Sequence, residues 1–257
     1  MLSKNKIKQI QSLNRKKERD ENGLFLVEGN KLVVEALLSN YYIETLVCTP
    51  QFLEEYRQVS QKVKEVIETD EESIQRASLL KTPQDVIAIA HKPQTTKYAI
   101  NAESKLYLAL DFIQDPGNMG TIIRIADWFG IDTIICSENT VDAFNPKVVQ
   151  ATMGAIFRVK CLYTNLNEFL LNIQGKSIPI YGTFMNGKNI YAERLTKNGI
   201  IVMGNEGNGI SKPISHFITH KITIPTFSVQ ENKSESLNVA IATSICCSEF
   251  RRRIYDR

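Results

Sequence analysis

The sequence predicts an α/β protein with a small N-terminal α/β domain at residues 1–95 and a larger domain at residues 104–257. In the larger domain we expect a mostly parallel sheet with helices on both faces. Two observations support this fold. Short apolar runs of strand length alternate with stretches of helical periodicity. Glycines or small polar residues directly follow several of these runs, as at the ligand-binding edge of open α/β sheets.

In the N-terminal domain, a basic helix is expected first, and strands then alternate with helices. The expected elements are a helix at 4–19, a strand at 24–28, a helix at 31–38, a strand at 43–48, a charged helix at 52–68 and a strand at 86–90. Residues 91–105 lack clear periodicity, and we expect a linker there.

The C-terminal domain repeats the alternation of strand and helix. The expected strands are 106–111, 133–136, 178–181, 200–203 and 221–224, and the expected helices are about 120–129, 146–153, 211–217 and 236–253. Short apolar strands separated by helices are typical of a parallel sheet that is covered on both faces.

Composition and charge indicate a soluble globular protein, with 43% hydrophobic and 23% charged residues and a net charge of +3. That charge is too small to indicate nucleic-acid binding by itself. However, the first 22 residues carry seven Lys or Arg against three acids, and arginines lie close together at 251–253. Such basic ends suit a polyanion, and an ordinary solvated surface is the alternative interpretation.

The five cysteines show no C-x-x-C spacing and lie in or beside apolar runs. We therefore expect reduced, buried thiols and a cytoplasmic protein rather than disulfides. No apolar run reaches the roughly 18 residues of a membrane span, and the first residues lack the apolar stretch of a signal peptide. No metal is expected either, because His216 and His220 have a ligand-like spacing without a third ligand.

The first of three polar motifs is DPGNMGTIIRIADWFG at 115–130, directly after the strand at 106–111. Asn118 is a candidate helix cap, and Gly130 is well placed as a left-handed C-cap. One turn inside the helix, the guanidinium of Arg124 can bind a phosphate or carboxylate. A capped helix with a solvated arginine is the alternative. The segment lacks the G-x-G-x-x-G spacing of a dinucleotide fingerprint.

The second motif, GNEGNG at 204–209, follows the buried strand at 200–203. Its three glycines would let a ligand lie close to the backbone. The third motif, SLN at 236–238, precedes an apolar helix, so Ser236 is the expected N-cap at a helix terminus that also attracts phosphate. Each motif alone is compatible with an ordinary turn or cap.

Taken in order, N-x-G-x-x-x-R, G-N-E-G-x-G and S-L-N resemble the three motifs of the SpoU/TrmH family of RNA ribose methyltransferases in the SPOUT superfamily. The resemblance covers the C-terminal half. Residues 13–29 and 82–90 are also similar to the RNA-binding domain that many members carry. The resemblance implies a trefoil knot, use of S-adenosylmethionine and methylation of a ribose 2′-hydroxyl.

By matched position, the resemblance assigns two sets of site residues. The expected catalytic residues are Arg124, Asn118, Glu206, Ser236 and Asn238. The expected cofactor-binding residues are Thr183, Gly204, Asn205, Gly207, Ile224 and Leu237. We expect Arg124 to hold the target phosphate and ribose, because a guanidinium is too weak an acid to serve easily as a base. Ser236 is expected to combine its N-cap role with a phosphate contact.

The resemblance also implies partners: an RNA substrate and a homodimer formed through the C-terminal domain. Basic side chains of the first helix (Lys16, Lys17 and Arg19), together with Arg124, are the expected RNA contacts. Ribosomal RNA is favoured over tRNA, because a domain of this N-terminal type is commoner on the rRNA enzymes.

Three alternatives remain at this point: a tRNA 2′-O-methyltransferase of the same family, a catalytically inactive RNA-binding relative, and a nucleotide-binding α/β enzyme of another type. Two departures from the family pattern are visible. Asp85 stands where a glycine is common, and residues 226–236 are strongly polar and lack the usual glycine.

Overall fold

A computed structural model describes residues 2–60, 63–93, 100–230 and 236–255. The helices are α1 (Lys4–Ser12), α2 (Lys16–Asn22), α3 (Asn30–Leu38), α4 (Pro50–Glu55), α5 (Arg57–Ser60), α6 (Glu71–Ala77), α7 (Pro116–Trp128), α8 (Pro146–Thr152), α9 (Leu166–Ile173), α10 (Lys212–Ser215) and α11 (Val239–Tyr255). The strands are β1 (Leu24–Glu28), β2 (Ile43–Cys48), β3 (Glu65–Glu68), β4 (Val86–His91), β5 (Leu106–Leu110), β6 (Thr133–Ser137), β7 (Lys160–Thr164), β8 (Ile180–Asn189), β9 (Gly199–Met203) and β10 (His220–Thr223).

The chain forms two compact units. The first comprises Met1–Thr95 together with Asp142–Arg158, and the second comprises Thr96–Val141 together with Val159–Arg257. The first unit therefore includes a segment from within residues 104–257, the range that the sequence pattern assigns to one domain.

The first unit contains a four-stranded sheet in the order β1-β4-β2-β3. β4 is antiparallel to β1 and β2, and β2 is parallel to β3. Every residue of β1 is buried, and Leu26 packs in one core with Ile10, Ile74 and Ile87. The helices thus cover the sheet with the apolar face that their spacing predicts.

Aromatic and polar contacts join the segment 142–158 to the first unit. The rings of Phe144 and Phe25 lie 4.7 Å apart between centroids. Gln150 Nε2 donates to the carbonyl oxygen of Glu28 at 2.7 Å. Tertiary contacts, which a local sequence pattern does not contain, therefore decide where this segment belongs.

A buried ion pair within the first unit corrects two sequence-based expectations. Arg19 is only 1% exposed, and its Nε and Nη2 donate to Asp142 at 2.9 and 2.7 Å. Its Nη1 donates to the carbonyl oxygens of Leu13 and Asn14 at 2.9 and 2.8 Å. The expected contact of Arg19 with RNA is therefore wrong, because this guanidinium is buried and fully engaged.

The same arginine accounts for the division of the expected helix 4–19 into α1 and α2. Leu13 ends α1 and is buried, and Arg15 adopts extended backbone before α2. The break leaves the carbonyl groups of Leu13 and Asn14 without helical partners, and Arg19 supplies the donors.

The second unit contains a six-stranded sheet in the order β10-β8-β9-β5-β6-β7, and all of its strand pairs are parallel. β5 and β9 are buried along their whole length. The predicted α/β fold with a parallel sheet is confirmed. Continuous apolar runs predicted these strands well, because central parallel strands are buried on both faces.

Elements without such runs were predicted poorly. The expected helix at 52–68 is instead α4, α5 and β3, with α6 after it. β3 is mostly exposed, so its residues carry no strong apolar pattern. β7 and α9 were not predicted, and no residue of β7 is fully buried. Part of the expected linker, residues 94–99, lies outside the described residues.

All five cysteines are free thiols, and all except the partly exposed Cys161 are buried. Burial raises the pKa of Cys48 to about 11 and that of Cys246 to about 12. These two thiols are therefore protonated at neutral pH. Within the described residues, no helix combines the length and apolar character needed to cross a membrane.

We predict that Asp142→Asn lowers the free energy of unfolding by about 3 kcal/mol, because it leaves the buried Arg19 charge uncompensated. Urea denaturation measures the change. The matched control is Lys17→Ala, which breaks an exposed pair with Glu21 whose nitrogen and oxygen lie 3.7 Å apart. We expect the control to change stability by less than about 1 kcal/mol. Equal effects of the two substitutions would contradict a special role for the buried pair.

Candidate active site

The three motifs meet at the carboxyl edge of the six-stranded sheet. β8, β9 and β5 run side by side, with Gly182 opposite Val202 and Leu110 opposite Met203. Because β9 and β5 are parallel and in register, the residues after them emerge at the same edge, where β8 leaves its pairing with β9 after Gly182. The second motif directly follows β9, and the first follows β5 by way of residues 111–114.

A close backbone contact shapes the loop after β9. A Cβ placed on Gly204 would lie 2.2 Å from the carbonyl carbon of Gly209 and 2.3 Å from the amide nitrogen of Ile210. Real Cβ atoms do not approach backbone that closely, so only glycine fits at position 204. The sequence predicts that Gly204 lets a ligand lie close to the backbone, and the structure shows that glycine is required there because the loop folds back on itself.

Asn205 holds this loop together. Its N–H donates to the carbonyl of Gly209 at 3.0 Å, and its own carbonyl accepts from the Gly209 N–H at 2.8 Å. Its side-chain oxygen accepts from the N–H groups of Gly207 and Asn208 at 3.0 and 3.1 Å. The polar atoms of Asn205 therefore stabilise the loop, and its contact with the cofactor stays a prediction.

The two residues directly after β5 form hydrogen bonds that stabilise the loop, and the sequence motifs identified neither of them. Asp111 is 6% exposed, and its carboxylate accepts from the Ser211 N–H at 2.7 Å. Phe112 has a φ of 63°, which is strained for a bulky side chain. Its carbonyl accepts from Asn205 Nδ2 at 2.9 Å. A carboxylate after a buried strand could have identified Asp111, whereas no sequence signal marks Phe112.

The first motif begins its helix earlier than expected. α7 starts at Pro116, and the side chain of Asp115 accepts from the Asn118 N–H at 2.7 Å. Asp115, not Asn118, is therefore the N-cap, since proline favours the first helical position and Asp is a strong capping residue. Gly130 has a φ of 64°, as expected for a left-handed C-cap.

The third motif also differs in its cap. The side-chain oxygen of Asn238 accepts from the N–H groups of Ala240 and Ile241 at 2.9 and 3.3 Å, at the start of α11. The predicted N-cap role of Ser236 is therefore wrong, because Asn238 occupies the capping position two residues later. Ser236 is exposed, and residues 231–235 before it lie outside the described part of the chain.

A chain of hydrogen bonds links one polar side chain from each motif. Glu206 Oε1 accepts from Asn118 Nδ2 at 2.7 Å, and Asn118 Oδ1 accepts from Asn238 Nδ2 at 2.9 Å. In the sequence, Asn118 lies 88 positions from Glu206 and 120 positions from Asn238. Three of the five expected catalytic side chains thus come together. Because Asp115 rather than Asn118 caps α7, the side-chain amide of Asn118 can bridge Glu206 and Asn238.

Arg124 lies further along α7 and is exposed. Within the described residues, no group forms a hydrogen bond or an ion pair with its guanidinium. Among the expected cofactor residues, Thr183 directly follows the last residue of β8 that pairs with β9, and Ile224 follows β10. Leu237 is 51% exposed before α11.

No group of three or more histidine, cysteine, aspartate or glutamate side chains suitable for a metal ion occurs among the described residues. His220 instead stacks on the ring of Tyr181, with 4.8 Å between the ring centroids.

Comparison with family models decides the affiliation. The model of the SpoU rRNA methylase family matches residues 105–248, which contain all three motifs. The chain belongs to the SpoU rRNA methylase family. A second model, the MRM3-like substrate binding domain, matches residues 4–88. The resemblance inferred from the three motifs is confirmed, and so is the similarity of the N-terminal part to a substrate-binding domain.

Relatives within the SpoU family include enzymes of ribosomal RNA. The chain is 28% identical to the 23S rRNA (guanosine(2553)-2′-O)-methyltransferase RlmP of Bacillus subtilis, and the match covers 96% of each chain. It is 30% identical to the human mitochondrial rRNA methyltransferase 3 over 63% of this chain and 38% of that one.

Solved structures of the SpoU/TrmH type share the whole fold. A TrmH-family protein from Porphyromonas gingivalis is 42% identical, with a TM-score of 0.89 over 98% of this chain and 99% of that one. An AdoMet-bound rRNA methyltransferase from Sinorhizobium meliloti is 32% identical, with a TM-score of 0.84 over 99% of this chain and 97% of that one.

We predict that Gly204→Ala lowers the free energy of unfolding by at least about 2 kcal/mol, because the added methyl group displaces the backbone of Gly209 and Ile210. The matched control is Gly207→Ala in the same loop, where the nearest atom to an added Cβ is 3.6 Å away. We expect the control to change stability by about 0.5 kcal/mol or less. Thermal denaturation of both variants distinguishes a packing requirement from a general effect of replacing glycine.

Proposed function

We propose that this protein methylates a ribose 2′-hydroxyl of RNA with S-adenosylmethionine as the methyl donor, and that its substrate is ribosomal RNA. The observation that carries the proposal is the hydrogen-bonded chain of Glu206, Asn118 and Asn238, which joins all three family motifs at one sheet edge. Membership of the SpoU family and rRNA-modifying relatives such as RlmP support the choice of substrate.

The residues at the sheet edge fit the donor. An adenosyl group needs main-chain donors and acceptors together with apolar walls. Gly204 is buried in the tight turn after β9, and residues 206–209 of the same loop are exposed beside it. Half-exposed Leu237 and partly buried Ile224 supply apolar surface. We propose that these residues, with Thr183 and Gly207, hold the donor, and that Asn205 preserves the shape of the loop.

When bound, S-adenosylmethionine would supply a sulfonium methyl group: an oxygen–carbon bond would form at the ribose as the carbon–sulfur bond breaks, releasing S-adenosylhomocysteine and the proton of the 2′-hydroxyl. The contribution of the protein is chiefly positioning. We propose that Arg124, whose guanidinium is exposed, binds the target phosphate and holds the ribose. Asn238 and Asn118 orient the ribose, Glu206 fixes Asn118, and the exposed hydroxyl of Ser236 contacts RNA phosphate.

In the first unit, we propose RNA contacts by Lys16 and Lys17. Their side chains are 68% and 80% exposed, and they form i,i+4 pairs with Asp20 and Glu21. Exposed pairs of this kind contribute little to stability, so an RNA phosphate can replace the carboxylate at small cost.

We also propose that the protein acts in the cytoplasm, since its cysteines are free thiols and most of them are buried.

Two further parts of the proposal concern architecture. We propose that the second unit contains the trefoil knot of SPOUT proteins, and that it forms a homodimer. α7 and α11 contact each other within this unit. Each also carries a large exposed apolar side chain: Trp128 is 84% exposed and Ile241 is 53% exposed. Exposed aromatic and aliphatic side chains of this size are common at subunit interfaces.

We predict that Arg124→Ala lowers kcat/KM for methyl transfer to rRNA by about 100-fold, because the target ribose is no longer held in line. The affinity for S-adenosylmethionine, measured by calorimetry, should stay within about two-fold, since Arg124 has no assigned contact with the donor. The control is Arg194→Ala, an exposed arginine outside the motifs. Unchanged turnover in Arg124→Ala would refute the proposed role.

The assay also separates the alternatives. Transfer of labelled methyl groups to undermethylated rRNA, read as alkali-resistant dinucleotides, is the expected result. Transfer to tRNA alone would identify the tRNA enzyme. RNA binding without donor binding would identify an inactive relative.

We predict that the protein sediments as a dimer, at twice the chain mass of 29.1 kDa, in analytical ultracentrifugation at micromolar concentration. Trp128→Arg should shift the equilibrium toward monomer, because it places a charge in an apolar interface. Leu171→Arg on α9, where the leucine is 57% exposed, is the control and should leave the dimer intact. A wild-type monomer would contradict the proposed assembly.

A further inference from the structure

The glycine loop, residues 204–210, begins where β9 ends and folds back on itself. Met203 is the last residue of β9, and Ser211 directly precedes α10. Inside the loop, Asn205 and Gly209 form two main-chain hydrogen bonds with each other, of 3.0 and 2.8 Å. These bonds fix the shape of the middle of the loop, but they do not attach its ends to the rest of the sheet edge.

One residue on the neighbouring strand forms hydrogen bonds with both ends of the glycine loop. Asp111 directly follows β5, and its N–H donates to the carbonyl oxygen of Met203 at 2.9 Å. The carboxylate of the same residue accepts from the Ser211 N–H at 2.7 Å. Asp111 therefore connects the residue before the loop with the residue after it.

Burial strengthens the hydrogen bond between Asp111 and Ser211. Asp111 is buried, so little water competes with the Ser211 N–H for its carboxylate. Hydrogen bonds to a carboxylate are stronger than those between neutral groups, and they are stronger again where water is scarce. This bond can therefore hold the end of the glycine loop even when no ligand is bound.

Strained backbone directly after Asp111 provides independent support. Phe112 has its φ in the left-handed region, where a bulky side chain is unfavourable. In this conformation its N–H donates to Ser137 Oγ, and its carbonyl oxygen accepts from Asn205 Nδ2, both at 2.9 Å. Strain of this kind persists where surrounding contacts impose it, and it is concentrated at functional sites. Here the strained residue adds a third attachment between the turn after β5 and the glycine loop.

We propose that Asp111 is a positioning residue for S-adenosylmethionine, because it holds the glycine loop in its binding shape before the ligand arrives. This inference rests on the proposed function, in which the glycine loop binds the methyl donor. A loop that is already in its binding shape loses little conformational entropy on binding, and the affinity is higher as a result. Once S-adenosylmethionine fills the site, it holds the loop itself. Asp111 therefore affects KM for the methyl donor more than kcat.

Two substitutions remove the same hydrogen bond from opposite sides. Asp111→Ala removes the acceptor, and Ser211→Pro removes the N–H at a residue whose φ of −62° suits proline. Each should weaken binding of S-adenosylmethionine about ten-fold in isothermal titration calorimetry, with kcat within about three-fold of wild type. The double variant should bind within about two-fold of the weaker single variant, because only one bond is lost. Additive losses, of about 100-fold in the double variant, would overturn the proposal.

Two control variants separate positioning from general stability. Asp111→Asn keeps an oxygen that can accept from the same N–H, so its affinity should stay within about three-fold of wild type. Ile131→Ala removes a side chain that is buried just before β6, at the opposite edge of the sheet. It should lower the melting temperature but leave the affinity for S-adenosylmethionine within about two-fold of wild type. Equal weakening in Ile131→Ala and Asp111→Ala would attribute the loss to general destabilisation and overturn the positioning role.

Hydrogen exchange of the ligand-free protein tests the same contact without the methyl donor. The amides of residues 205–211 should exchange at least about ten-fold faster in Asp111→Ala than in wild type, as read by mass spectrometry. Unchanged exchange would overturn the proposal. A failure of the proposed function has a different signature: wild-type protein would bind no S-adenosylmethionine although the difference in exchange is present.

Discussion

The parallel register of β8, β9 and β5 is the constraint on which the candidate active site depends. β9 and β5 have the same length and pair over all five residues, so the segments after them emerge together, next to the point where β8 stops pairing with β9. The close contact between Gly204 and the backbone of Gly209 and Ile210 then fixes how the chain turns back from that edge. Without both features, Glu206 could not reach Asn118 on the helix that follows β5.

Some polar groups at this edge stabilise the loop and helix ends, whereas others have no partner among the described residues and are available to a ligand. Asn205, Asp111 and the strained Phe112 hold the loop, while Asn238 both caps α11 and donates to Asn118. Arg124 has no assigned partner among the described groups, and this distinguishes it from Glu206, the other charged residue of the expected catalytic set. An unengaged guanidinium on the helix that also carries Asn118 can bind a phosphate without first breaking a contact.

In the first unit, basic and acidic side chains are concentrated on different elements. The helix α2 carries exposed lysines, whereas exposed carboxylates lie at the carboxyl ends of β2 and β3. Its one buried arginine is used internally, since Arg19 connects the turn between α1 and α2 to Asp142. Basic residues in this unit are therefore not equivalent, and only burial separates the structural arginine from the exposed lysines.

Local patterns in the sequence were sufficient to predict the central strands, the parallel class of the sheet, the position of the motifs at strand ends and the family. Each of these depends on local patterns: continuous apolar runs, glycines after them, and motif order. The tertiary structure alone decided that Asn238 rather than Ser236 caps α11, that Arg19 is buried, and that residues 142–158 belong to the first unit. The physical reason is that capping and burial depend on partners distant in sequence, as the separation of 123 positions between Arg19 and Asp142 illustrates. Short exposed elements such as β3 also required the structure, because a strand that buries little leaves little apolar pattern to detect.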